Sequence, residues 1–146
     1  MQRRPLVLLC AVAMGVSSLA GASLAAAAEG GKQLSTTLSG AEEVPAADPD
    51  GSGTATFRIQ ASKGRVCYTL EVRDIAPAAA AHIHHAPAGI NGPVVVPLTP
   101  PAAGTSSGCV EVLLSLARDI VRNPGDYYVN VHNVDYPAGA VRGQLG

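Results

Sequence analysis

Residues 65–74 read RVCYTLEVRD and alternate without a break. Val66, Tyr68, Leu70 and Val72 share one parity; Cys67, Thr69, Glu71 and Arg73 share the other. A period of two sends successive side chains to opposite faces of an extended chain, whereas an amphipathic helix needs apolar residues every three or four positions. This segment therefore folds as a strand with one packed face and one wet face. The preceding run, TATFRIQ at 54–60, alternates in the same way and is joined to it by ASKG, a tight-turn sequence. Together they predict a β-hairpin.

The pattern recurs along the chain. KQLSTTL at 32–38 reads as a first strand, and the Pro- and Gly-rich SGAEEVPAADPDGSG that follows breaks regular structure. AAHIHHA and PVVVPL are short strands around the turn at Asn91-Gly92-Pro93. PPAAGTSSG reads as a loop. CVEVLLS reads as a strand with Val110, Val112 and Leu114 inward and Cys109 and Glu111 outward. DYYVNVHN and GAVRGQLG complete the set. Only SLARDIVRNPG has a helical pattern, with Ser115 placed to cap it and Asn123-Pro124-Gly125 to end it. Many short strands with regular turns and one short helix indicate an all-β antiparallel sandwich or barrel. Its core positions are Val66, Tyr68, Leu70, Val72, Ile83, Val110, Val112, Val129 and Val131.

The N-terminus follows other rules. A basic head containing Arg3 and Arg4, an apolar run from Pro5 to Val16 and a small-residue tail have the order of a secretory signal peptide. Cleavage is expected near Ala28, taking Cys10 with it. The apolar run is too short to span a bilayer comfortably, so no membrane span is expected after removal. The expected product is exported, periplasmic or secreted. Of ten basic residues eight then face eleven acids, with no Lys/Arg cluster, which argues against a nucleic-acid partner. Cys67 and Cys109 remain. In an oxidising compartment an even pair reads as one disulfide, the alternative being two buried thiols. Both fall on the outward parity of their strands, where a bridge leaves the core undisturbed.

Three of the four histidines fall in the stretch 81–85, AHIHH. If Ile83 faces the core, His82 and His84 face outward. In YVNVHN, Val129 and Val131 share one face while Asn130 and His132 share the other. His82, His84 and His132 thus all leave the outward side, and His85 begins the loop. Two histidines at i and i+2, with a third from a neighbouring strand, make a candidate three-nitrogen site, and imidazole suits copper and zinc. Asp135, Asp74 or a main-chain carbonyl would hold the second ring nitrogens. The alternative is that these histidines only brace loops. Other motifs are weaker. Glu42-Glu43 reads as solvated or paired with Arg142 rather than catalytic. Tyr127-Tyr128 reads as one core and one surface residue. Ser106-Ser107 has no nucleophile spacing, and GINGP lacks the lysine and glycine spacing of a phosphate loop.

Three separated stretches, LSGAEEVPAADPDGSGTATF, AHIHHAPAGINGPVVVPL and YYVNVHNVDYPAGAVRGQL, resemble the CHRD domain, the repeated module of chordin also found singly in exported bacterial proteins. The resemblance runs from Leu38 to Leu145. It departs at Ala46, where the family continues with a second proline, and at His85-Ala86-Pro87, where glycine is usual. It divides the chain into a signal peptide at 1–28, a lead-in strand at 29–37 and a CHRD domain at 38–146. A more distant likeness is to copper–zinc superoxide dismutase. It implies an Ig-like Greek-key barrel, with His82, His84 and His132 matching three copper ligands and Arg142 the anion-drawing arginine. The zinc ligands and the bridging histidine find no match.

These readings separate three functions. The first is an exported binding or structural module with a protein or cell-surface partner. The second is a copper- or zinc-binding protein using His82, His84 and His132, with Arg142 and Glu43 at the rim of the site. The third is a dismutase-like oxidoreductase, which needs a proton donor and a tuned open site beyond bare ligands. No catalytic residue is assigned, and the balance leans away from an enzyme.

Overall fold

The structure is a computed structural model and describes residues 30–146. The expected signal peptide at 1–28 lies outside the described residues. Eight strands form the framework: β1 (Lys32–Ser39), β2 (Ser52–Gln60), β3 (Arg65–Arg73), β4 (Ala80–His85), β5 (Val94–Leu98), β6 (Thr105–Glu111), β7 (Tyr127–His132) and β8 (Val141–Gln144). One helix, α1 (Leu114–Arg122), precedes β7. All strands are antiparallel in a single sheet ordered β5-β4-β7-β8-β1-β2-β3-β6. The two end strands approach each other, so the sheet is a nearly closed barrel. At the seam the Tyr68 hydroxyl accepts from the Thr99 amide at 2.8 Å, and Ser106 Oγ donates to the Thr99 carbonyl at 2.8 Å. The all-β class read from alternation is the fold observed.

Alternation builds the core as expected. Gln60 pairs with Arg65 across the 61–64 turn, so the β2–β3 hairpin is in register along its length. Val66, Tyr68, Leu70, Val72, Ile83, Val129 and Val131 are all buried, joined by Leu38, Ala55, Phe57, Ile59, Val96 and Val141. With one Phe and no Trp in the chain, the interior rests on aliphatic packing.

Three expectations near α1 are corrected. Thr105–Gly108 is not loop: these residues start β6, which ends at Glu111. Pairing to β3 extends the strand backwards, because Thr105 lies opposite Glu71. Val110, on this edge strand, is only partly buried, and Val112 and Leu114 lie beyond the strand's end, Val112 partly buried and Leu114 exposed at the start of the helix. The helix begins at Leu114, so Ser115 lies inside it. The capping position is Leu113, with no side-chain cap. Its apolar face, with Ala117 and Ile120 buried, packs into the core.

Cys67 and Cys109 lie directly opposite each other on β3 and β6 and are joined by a disulfide across a Cα–Cα separation of 3.9 Å. Both side chains lie on the outer face, as their parity required. The bridge ties the edge strand β6 to the sheet.

Candidate functional site

The outer face of β4, β7 and β8 carries two cross-strand rows. His82, Asn130 and Arg142 lie side by side, and His84, Tyr128 and Gln144 form the next row. His132 stands two residues beyond Asn130, opposite Ala80. A register shift between Ile83 and His84 locally twists β4. This face points away from the barrel core, yet two loops cover most of it: residues 86–93 and residues 43–47. Asn91 joins them, its Nδ2 donating to the Val44 carbonyl at 2.6 Å.

The cover corrects the exposure expected for this side. Arg142 and Glu43, expected at a rim, are 1% and 7% exposed. Both tyrosines of the Tyr127-Tyr128 pair are buried, because Tyr127 turns to the core and Tyr128 lies beneath the loops. Asn130 is buried and His84 nearly so, while His82 and His132 are half-buried. Facing away from a core is not facing water when loops form a second layer.

The three histidines converge. One ligating atom from each of His82, His84 and His132 lies within 4.8 Å of the others. His82 Nδ1 and His132 Nε2 are 3.1 Å apart. His85 stays outside this group, exposed and against the Tyr127 ring.

Main-chain carbonyls set the tautomers. His84 Nδ1 lies 2.9 Å from the Gly92 carbonyl, and His132 Nδ1 lies 3.1 Å from the Pro137 carbonyl. A carbonyl only accepts, so on His84 Nδ1 carries the proton and Nε2 presents its lone pair to the cluster, and on His132 the same contact favours the proton on Nδ1. Of the acceptors considered from sequence, main-chain carbonyls take this role, and Asp135 and Asp74 do not. His84 Nε2 is buried without a hydrogen-bond partner. His132 Nε2 faces the Asn130 Oδ1 at 3.0 Å, two acceptors opposed, because the Asn130 amide N–H serves the Glu43 carboxylate. Burial lowers the proton affinity of His82 and of His132, and the neighbouring imidazoles lower both further. Both rings are thereby kept in the neutral form that a metal requires.

Beside this cluster Glu43 and Arg142 lie buried near each other. Burial pushes the Glu43 carboxyl up to about 7, against the opposing pull of Arg142 and of the Asn130 hydrogen bond. Glu43 is packed so closely under Gly139 that a Cβ there would meet its carboxylate at 2.3 Å. The Arg142 guanidinium lies 3.4 Å over the Tyr128 ring and donates to Asn91 Oδ1, the Ile90 carbonyl and the Pro87 carbonyl at 3.1, 2.9 and 3.4 Å. The anion-drawing role that the dismutase likeness implied for Arg142 does not fit a guanidinium so buried and so occupied.

Tyr128, Asn130, Gly92 and Gln144 were not assigned to the site from sequence. Tyr128 and Asn130 had a usable signal, since both share parity with His132. Gly92 had none, because a loop carbonyl has no sequence signature.

Among the described residues no helix is long and apolar enough to cross a membrane. The family model described as CHRD domain matches residues 34–145. No curated protein and no solved structure matches the chain.

Proposed function

The chain belongs to the CHRD domain family, and from that premise we propose that it is an exported binding module whose bound species is a transition-metal ion, copper or zinc, held by His82, His84 and His132. The observation that carries this reading is the buried, unpartnered Nε2 of His84, converging with two further imidazole nitrogens. A buried polar atom without a partner costs roughly 1–3 kcal/mol, so its retention asks for a reason.

The donor set fits such an ion. Imidazole nitrogen binds zinc or copper at about 2.0–2.1 Å, so two ligands of one ion stand no more than about 4 Å apart. The 3.1 Å pair meets this limit, and the cluster as a whole, within 4.8 Å, needs a closure of less than about 1 Å to meet it. Nδ1 of His84 and of His132 is held by a carbonyl, the support a ligating imidazole needs. His82 Nδ1 donates to His132 Nε2 in the metal-free protein. To ligate through Nδ1, His82 would carry its proton on Nε2 of the same ring.

When bound, the ion would supply Lewis acidity or, if copper, one-electron chemistry. The chain's own contribution is neutral donors in a partly dry recess. The commitment of Arg142 to loop carbonyls argues for binding over dismutation. The Cys67–Cys109 disulfide supports an oxidising compartment, periplasmic or extracellular, and a signal peptide at 1–28 is the proposed route there.

The test is metal content of the protein purified without added metal, followed by calorimetric titration with Cu(II) and Zn(II). One saturable site is expected. Binding no tighter than that of a variant with all three histidines replaced by Ala overturns the metal reading and returns these residues to bracing loops or meeting a protein partner.

A further inference from the structure

We infer that Tyr128 and Arg142 are the positioning residues of the histidine centre, acting on His84 through the Gly92 peptide; this rests on the metal-binding reading above. The geometry is a closed loop of contacts. His84 Nδ1 donates to the Gly92 carbonyl at 2.9 Å. The amide of the same residue, Gly92, donates to the Tyr128 hydroxyl at 3.2 Å. The Tyr128 ring stacks on the His84 ring with centroids 4.7 Å apart and planes within 10°. One tyrosine thus sets the plane of the imidazole by its face and the position of its hydrogen-bond acceptor by its hydroxyl.

Arg142 closes the arrangement from the other side. Its guanidinium lies over the Tyr128 ring from the neighbouring strand β8, while His84 stacks on that ring from β4, the strand on the other side of β7. The same guanidinium holds the residues leading to Gly92, through Asn91 Oδ1 and the carbonyls of Ile90 and Pro87. Gln144 adds a bond from Nε2 to the Ala86 carbonyl at 2.9 Å. Position 92 accepts no side chain, because a Cβ would stand 2.0 Å from the His85 carbonyl oxygen. The 86–93 loop is therefore pinned along its length, and its last fixed peptide selects the His84 tautomer. Of the three rings, His84 is the one whose donor nitrogen has no other constraint, since His82 and His132 contact each other. Fixing it in advance removes ordering entropy from metal capture.

The experiment uses Tyr128→Phe, which keeps the stacked ring and removes only the hydroxyl. Asn91→Ala is the second variant: Asn91 is exposed, and its loss removes one Arg142 acceptor and the bond to the Val44 carbonyl while leaving the stacked rings in place. Two readouts are taken. Long-range proton–nitrogen NMR spectra of the metal-free protein report the His84 tautomer, and titration with Zn(II) and Cu(II) reports affinity. The wild type is expected to hold His84 with the proton on Nδ1. Tyr128→Phe is expected to populate both tautomers and to lose roughly tenfold or more in affinity, with a smaller loss for Asn91→Ala. A wild-type His84 protonated on Nε2, or variants with unchanged tautomer and unchanged affinity, overturns the inference. If the tautomer shifts in Tyr128→Phe while the wild type binds neither ion, the positioning stands and the metal reading falls.

Discussion

At the scale of single residues, the site divides by what each ring faces. His84 and His132 present Nε2 inward from rings anchored on carbonyls, while His85 points elsewhere. Replacing His84 or His132 with Ala should therefore weaken Cu(II) or Zn(II) binding at least tenfold, and replacing His85 should change it little; calorimetry of the three variants checks this. Because the proton affinities of His82 and His132 are depressed, proton competition should set in below the ordinary imidazole value of about 6.5. Binding should persist near that pH and fall away below about pH 6. Glu43 predicts a stability effect of the opposite sense. Its carboxyl titrates at about 7 in the fold, above the ordinary carboxylate value. The folded state therefore binds a proton that the unfolded chain has released, and its stabilising contribution is lost as pH rises from about 4.5 through 7. Glu43→Gln should gain stability relative to wild type as pH rises through that window, by an amount of order 3 kcal/mol at most. Thermal melts at pH 5 and pH 8 test the sign. A gain no larger at pH 8 than at pH 5 would contradict it.

At the scale of elements, β7 is the most constrained strand. Val129 and Val131 are fully buried on one side, and Tyr128 and Asn130 are buried on the other. Val129→Asp should abolish folding, since an unpaired carboxylate would enter an aliphatic interior. A circular dichroism spectrum and melting temperature matching wild type would refute that. The edge strand β6 is held differently, by pairing to β3 and by the disulfide. The bridge spans a sequence separation of 42. On the chain-entropy account its reduction should cost about 4 kcal/mol, measured as a lower denaturation midpoint in reductant. Strand existence was legible because alternation is a local property of the backbone. The start of β6 was not. Thr105–Gly108 has no apolar alternation and becomes strand only because β3 offers unpaired hydrogen-bonding groups beside it.

At the scale of the molecule, the interior of the nearly closed barrel is filled by aliphatic packing, so the proposed site lies on the outer wall, and the loops decide how dry that wall is. The sequence by itself determined the all-β class, the β2–β3 hairpin and most of the core, and offered Cys67 and Cys109 as the pair for one disulfide. It also determined that His82, His84 and His132 leave one side of their strands, since parity along a strand fixes which face each side chain takes. The CHRD membership that the motifs implied agrees with the family match over residues 34–145. Only the tertiary structure decided that β4 and β7 are neighbours, and so that the third histidine reaches the first two. It also decided that loops 43–47 and 86–93 fold over the outer face, burying Arg142, Glu43 and Tyr128, and that the Gly92 and Pro137 carbonyls anchor the rings. The strand pairing and the loop cover depend on contacts between segments some fifty residues apart, and the carbonyl anchors on loop conformations that no side-chain pattern encodes. A period-two pattern carries no information about which strand lies beside which, or about what a loop covers.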